Sequence, residues 1–169
     1  MKKIMLFLFV AAIFSACSSK KKSNEVTSFV YQNNCENDTY GVNFTSFRVD
    51  SLAHSGKLAS VLDSTTEFGT GFSSPFKNIS VKGPRKVIIK LWAYFFDKTT
   101  KGQIVCSILN GKESIDWKSQ PIEKYVKSPG KWCQVKTEFF IPQDLDESFI
   151  YQCYIWNPGK CHFLIDDFE

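Results

Sequence analysis

The chain has 169 residues, a formal net charge of +4 and 43% hydrophobic side chains, among them sixteen Phe, six Tyr and four Trp. That length supports one domain with a real core and is too short for two comfortable ones. With 21 basic side chains interspersed among 17 acidic ones, the surface lacks the basic footprint of a nucleic-acid binder.

In chain order, the first feature is Met1-Lys2-Lys3, a positive start, followed by eleven unbroken apolar residues from Ile4 to Phe14 and the small residues Ser15 and Ala16. This is the pattern of an export signal over residues 1–16. Eleven residues cover ~16 Å as a helix, short of the ~30 Å hydrocarbon core, so a permanent transmembrane span is the poorer reading. Phe14-Ser15-Ala16-Cys17 resembles the lipobox of bacterial lipoprotein precursors, in which the cysteine is diacylated and becomes the new N-terminus. The resemblance makes Cys17 the lipidation site and places the protein in a bacterial envelope, lipid-anchored to the outer membrane. Residues 17–27, with Ser18-Ser19-Lys20-Lys21-Lys22-Ser23-Asn24, have no hydrophobic period and read as a solvated tether. The three lysines do not resemble acidic surface-export signals, which favours the periplasmic face.

Cleavage before Cys17 leaves 153 residues with 19 basic and 17 acidic side chains. From residue 28 to 169 helical period is nearly absent. The high aromatic content and short alternating runs broken by turn residues are those of an all-β fold of two packed sheets. Ten strands are expected: Ser28–Asn33, Asn43–Asp50, Lys57–Asp63, Glu67–Ser73, Lys86–Asp97, Gln103–Asn110, Ser114–Ser119, Trp132–Ile141, Phe149–Asn157 and Lys160–Phe168. In Lys86–Asp97, Val87, Ile89, Leu91, Ala93 and Phe95 share one face, and Ile88, Lys90, Trp92, Tyr94 and Phe96 share the other. A strand apolar on both faces sits centrally, one side in the core and the other covered by a loop or lining a groove. Turns are expected at Asn110-Gly111, Ser128-Pro129-Gly130 and Asn157-Pro158-Gly159.

Five cysteines remain beyond Cys17, an odd number, and none has zinc-site spacing. Most read as small buried hydrophobes. Cys35 and Cys161 are a candidate disulfide if the first and last strands are neighbours. His54 and His162 have no catalytic partner defensible from spacing, and no carboxylate pair stands out for hydrolysis, so an enzyme is not expected. Asn37-Asp38-Thr39 and Asn43-Phe44-Thr45 read as chance sequons.

Four pieces, taken in order, resemble the galactose-binding-like jelly-roll domains that include many calcium-containing carbohydrate-binding modules. They are Asn34-Cys35-Glu36-Asn37; Ala53-His54-Ser55-Gly56-Lys57-Leu58-Ala59-Ser60; Lys131-Trp132-Cys133-Gln134-Val135 leading into Phe139-Phe140-Ile141-Pro142; and Phe163-Leu164-Ile165-Asp166-Asp167-Phe168. The resemblance implies a jelly-roll β-sandwich of two antiparallel sheets. It also implies a structural Ca²⁺ held by the carboxylates of Glu36 and Asp166 and by a backbone carbonyl at Lys57 or a neighbour, an oxygen set that suits this ion. Asp166 and Asp167 point to opposite faces of a strand and approach one point only if the strand ends between them.

Sugar-binding sandwiches stack pyranose faces on exposed aromatic rings, with polar neighbours on the hydroxyls. The candidates are Trp92, Tyr94, Trp117, Trp156 and Asn157, with Tyr125, Tyr154, Lys90 and Gln152 also available, although Trp in small sandwiches is more often core than platform. The expected function is non-catalytic glycan binding by a membrane-anchored lipoprotein. The alternative is an envelope lipoprotein that contacts a protein partner on the same fold, since architecture alone does not choose. Binding modules normally accompany a catalytic domain, whereas this chain reads as a tether and one domain.

Overall fold

The computed structural model describes residues 28–36, 47–49, 52–79 and 86–169. The expected signal, Cys17 and the tether over 17–27 lie outside the described residues. The described residues contain nine strands: β1 (Phe47–Val49), β2 (Ala59–Leu62), β3 (Phe68–Pro75), β4 (Lys86–Phe95), β5 (Gln103–Asn110), β6 (Glu113–Pro121), β7 (Trp132–Phe140), β8 (Ile150–Trp156) and β9 (Phe163–Asp166). They form two antiparallel sheets, in the orders β1-β2-β9-β4-β7 and β3-β8-β5-β6. The fold is all-β, a jelly-roll sandwich.

The period-2 pattern of β4 decides which side faces in. Ile89, Leu91, Ala93 and Phe95 are buried and meet Ile104, Cys106 and Ile108 of β5 and Tyr151, Cys153 and Ile155 of β8 in the common core. Each such Leu, Ile or Phe contributes roughly 1.5–3 kcal/mol by leaving water. On the opposite face of β4 Ile88 stays exposed, and a loop covers only the Trp92–Tyr94 end. There Tyr94, Trp132, Leu52 and Ala53 pack on a second small cluster of Ala59, Val61 and Leu164.

Of the expected strand Asn43–Asp50 only residues 47–49 are described, as β1, and the expected first strand, Ser28–Asn33, does not form. Only Asn33 pairs, in a single bridge to Phe168 through N–H···O bonds of 2.8 and 2.9 Å. The ladder cannot extend because its partner strand β9 stops at Asp166, and Asp167 takes a left-handed φ of 48°. Residues 28–33 instead serve by side chain, with Phe29 and Tyr31 against Phe72.

The bridge also explains why Cys35 and Cys161 are not partners. Chain direction carries Cys35 toward Ile165, whose carbonyl accepts from its Sγ, whereas Cys161 precedes β9 and lies against the Gly159 carbonyl and the Lys101 N–H. They sit at opposite ends of one strand.

Two turns repeat one device. Asp63 Oδ1 accepts from the backbone N–H groups of Thr65 and Thr66 and from the Thr65 hydroxyl. Asp97 Oδ1 does the same with Thr99 and Thr100. Asp-x-Thr-Thr thus closes the chain after β2 and after β4 through side chain to backbone bonds that replace a ladder.

Candidate functional site

The aromatic candidates fall on two outward faces that the core separates. On the four-stranded sheet, Ile104–Ile155 and Cys106–Cys153 are in-register pairs facing the core, so Gln103, Val105 and Ser107 of β5 and Gln152, Tyr154 and Trp156 of β8 face out. Register across the sheet then sets three outward rungs. The first runs Phe68–Trp156–Gln103–Pro121, the second Gly71–Tyr154–Val105–Ser119, and the third Ser73–Gln152–Ser107–Trp117.

Trp156 and Trp117 stand on diagonal rungs on either side of β5, and their rings meet edge to face at 6.0 Å. Between them lies Val105, outward-facing yet 0% exposed, while Trp117 keeps 48% of its surface. The indoles therefore roof the sheet and present their outer surfaces to solvent. Trp156 Nε1–H donates to Glu67 Oε1 at 3.1 Å, and Phe68 meets Tyr154 edge to face at 5.8 Å. Gln152 Nε2 donates to Ser73 Oγ at 3.2 Å. Gly71 opens the middle rung, since a Cβ there would meet the Cys153 carbonyl at 2.4 Å. Chemically this is an aromatic platform with amide, hydroxyl and carboxylate groups around it, able to stack against an apolar ring face and hydrogen-bond its substituents.

The other face carries the remaining expectations. Trp92 is stacked under His54, ring centroids 3.8 Å apart and 14° from parallel, and Tyr94 packs against Phe96 and Trp132. Trp92 and Tyr94 therefore do not join Trp117 and Trp156 in one site. Asn157 is not in a ligand position either. It is fully buried, its Nδ2 donating to the carbonyls of Asp63, Thr66 and Cys161 and its Oδ1 accepting from the Cys161 N–H. That amide ties the β8–β9 turn to the β2–β3 connection.

Glu36, Lys57 and Asp166 do converge on one turn. Glu36 Oε1 accepts from the backbone N–H groups of Lys57 and Leu58, both at 2.7 Å. Asp166 Oδ2 accepts from those of His54 and Ser55 at 2.8 and 3.1 Å. Because β9 ends at Asp166, Asp167 swings to the same turn, bonding His54 Nδ1 at 2.7 Å and Ser55 Oγ at 2.6 Å. Burial raises the Asp166 carboxyl above its ordinary pKa against the pull of the Ser55, Asp167 and His54 N–H groups. Among the described residues no three His, Cys, Asp or Glu side chains come together around a point that fits a metal ion. An ion at this turn would need backbone carbonyls to complete its shell.

Glu67, Phe68 and Gln103 belong to the platform and were not singled out by sequence. The available signal was the alternation of β3 and β5, but it gives no neighbour order, and only the placement of β8 between β3 and β5 brings these residues together.

No protein-family model matches the chain, and no curated protein matches it significantly at the sequence level. Solved structures do share its fold. The second family 22 carbohydrate-binding module of Paenibacillus barcinonensis Xyn10C, a xylan-binding domain, superposes with a TM-score of 0.56 at 13% identity, covering 82% of this chain and 96% of that one. The first such module of the same protein gives 0.53 at 12% identity, covering 82% and 90%. A further family 22 xylan-binding domain gives 0.53 at 14% identity, covering 85% and 94%. At these identities the likeness is one of fold: this chain shares the β-sandwich architecture of those modules.

Proposed function

We propose that the protein binds a polysaccharide without catalysing a reaction on it, through the outward face of the four-stranded sheet, while a lipid on Cys17 holds it at a bacterial membrane. The carrying observation is the Trp117–Trp156 roof over Val105, with Glu67 fixing one indole and Gln103 and Gln152 beside it. The domains with which the chain shares its fold are described as xylan-binding, which makes xylan the first ligand to test. Each indole, Trp117 exposed and Trp156 half-buried, would act as a central contact, worth on the order of 2 kcal/mol, about thirty-fold in Kd.

The test is titration of the full chain, purified in detergent, with xylan and a panel of other soluble polysaccharides by calorimetry, beside Trp117→Ala and Trp156→Ala. Saturable heat that both substitutions reduce supports the reading. No heat with any glycan, or heat indifferent to both substitutions, sinks it. Lipidation is tested separately, by incorporation of labelled palmitate that Cys17→Ser abolishes.

Ca²⁺ at the His54–Leu58 turn belongs to the same proposal, with Glu36 and Asp166 as carboxylates and Lys57 as a carbonyl donor. Its support is that both carboxylates reach that turn; when bound, the ion would neutralise clustered acids and pin the loop. A thermal midpoint raised by added Ca²⁺ and returned by chelator supports it, and an unchanged midpoint removes it. One observation favours a protein partner as the second reading. Ile88 and Phe140 are exposed on adjacent strands β4 and β7, one rung apart in register.

A further inference from the structure

The core holds a pair of thiols that neither the glycan face nor the loop face uses. Cys106 and Cys153 are directly opposed on β5 and β8, both buried, with Sγ atoms 3.0 Å apart. Directly opposed residues of an antiparallel pair have Cα atoms roughly 4.5–5.5 Å apart, inside the ~4.4–6.8 Å span that a disulfide bridges. No backbone movement is needed to join them. Cys35, by contrast, has its Sγ on a backbone carbonyl, as do Cys133 and Cys161.

From this geometry we propose that Cys106 and Cys153 close as a cross-strand disulfide, a covalent rung joining the two central strands of the glycan-facing sheet. The proposal rests on the export reading only for its oxidant, a disulfide such as oxidised glutathione or the active-site disulfide of an oxidoreductase. One cysteine thiolate attacks that disulfide and releases one thiol, and the second cysteine then displaces the other. Two S–H bonds are lost and one S–S bond forms, while two electrons and two protons pass to the oxidant, which leaves as two thiols.

The surroundings set when this happens. Tyr151 covers the pair, its hydroxyl donating to Cys106 Sγ at 3.0 Å and accepting from Cys153 Sγ at 2.7 Å. Burial holds the Cys153 thiol well above its ordinary pKa, so little attacking thiolate forms in the finished fold. The bond therefore forms as β5 and β8 pair, before the five-stranded sheet covers them. The residues enclosed between Cys106 and Cys153 include β6 and β7, so the link constrains a long loop of the unfolded chain. It also fixes the spacing between the strands that carry Val105 and Trp156.

The experiment is to denature and reduce the full chain and refold it in detergent with mixed oxidised and reduced glutathione. It is then alkylated with iodoacetamide in denaturant without reductant, and its peptides are mapped by mass. The expected product is a linked peptide pair containing Cys106 and Cys153, with label at Cys35, Cys133 and Cys161. The triple variant Cys35→Ser, Cys133→Ser, Cys161→Ser should keep the link. Reducing the refolded wild type should lower its thermal midpoint by roughly 5–10 °C, a readout that does not depend on Cys106→Ser or Cys153→Ser variants folding. Label at both Cys106 and Cys153 in refolded protein, or linkage of either to another cysteine, overturns the proposal. A link after refolding with free thiols in chain that the host retains in its cytoplasm supports it and counts against export instead, whereas free thiols at both positions in chain recovered from a host envelope overturn it.

Discussion

The indole of Trp156 is oriented by one bond, from its Nε1–H to Glu67 Oε1. Glu67→Ala should loosen the ring and weaken polysaccharide binding by on the order of 1 kcal/mol, about fivefold, while Glu67→Gln, which keeps an acceptor, stays near wild type. Equal affinities for all three proteins in calorimetry would show that the platform does not depend on this bond. Asn157, one residue along, behaves oppositely. Replacing it with Ala strands three carbonyls and an N–H that its amide satisfies, a loss of about 3 kcal/mol that should lower the melting midpoint by roughly 10 °C. The turn carboxylates Asp63, Asp97 and Asp146 are held below the ordinary pKa of 3.8, first by the hydroxyls of Thr65, Thr99 and Ser148. A depressed folded pKa gives stability that is complete above 3.8 and lost as pH falls through the lower folded value. Denaturant midpoints measured down from pH 5 should therefore drop below about pH 4, and Asp97→Ala should flatten that drop. At this scale the sequence was least legible. Asn157 and Trp156 looked alike as candidates, because nothing in a residue's neighbours along the chain says whether its polar atoms will meet backbone or solvent.

Strands were far more legible, because a two-residue period with β-branched and aromatic residues is a local property. Lys86–Asp97 is recognisable as central from its two apolar faces alone, and β4 occupies Lys86–Phe95. What failed, failed for non-local reasons. Ser28–Asn33 alternates well enough, yet its pairing is limited by the φ of Asp167, far along the chain. The irregularity in β3 between Phe68 and Gly71 was equally invisible, and it decides the platform, because the extra residue returns both Phe68 and Gly71 to the outward face. Gly71 is the fragile point of this arrangement. A Cβ would meet the Cys153 carbonyl at 2.4 Å and Tyr154 Cβ at 2.8 Å, and both belong to the paired strand β8, so neither moves cheaply. Gly71→Ala should cost on the order of 2 kcal/mol, lower the midpoint by roughly 6 °C and displace Tyr154. Unchanged melting and unchanged glycan affinity would mean that the β3–β8 approach relaxes freely.

The whole molecule separates two sets of aromatics that the chain interleaves. Trp92 and Tyr94 precede Trp117, and Trp132 precedes Trp156, so sequence order offers no way to sort them; only the sheet orders β1-β2-β9-β4-β7 and β3-β8-β5-β6 do. One set is consumed in structure, with Trp92 under His54, and the other is displayed, with Trp117 at 48% exposure. The two sheets lie ~10 Å apart across a packed core, and Trp92 and Trp117 share no ring partner among the described contacts. Effects of distant residues without shared partners add to within about 0.5 kcal/mol. Trp92→Ala should therefore lower stability, on the order of 3 kcal/mol for a truncated packed tryptophan, and leave glycan affinity in the folded protein unchanged. Trp117→Ala should do the reverse, losing affinity with little change in melting. The double variant should show both losses side by side, stability as in the first and affinity as in the second. Thermal melts and calorimetric titrations of the four proteins close the cycle. A coupling above about 1 kcal/mol in either quantity would mean that the core transmits between the faces, and that the loop held by Glu36, Asp166 and Asp167 is part of the binding apparatus rather than its support.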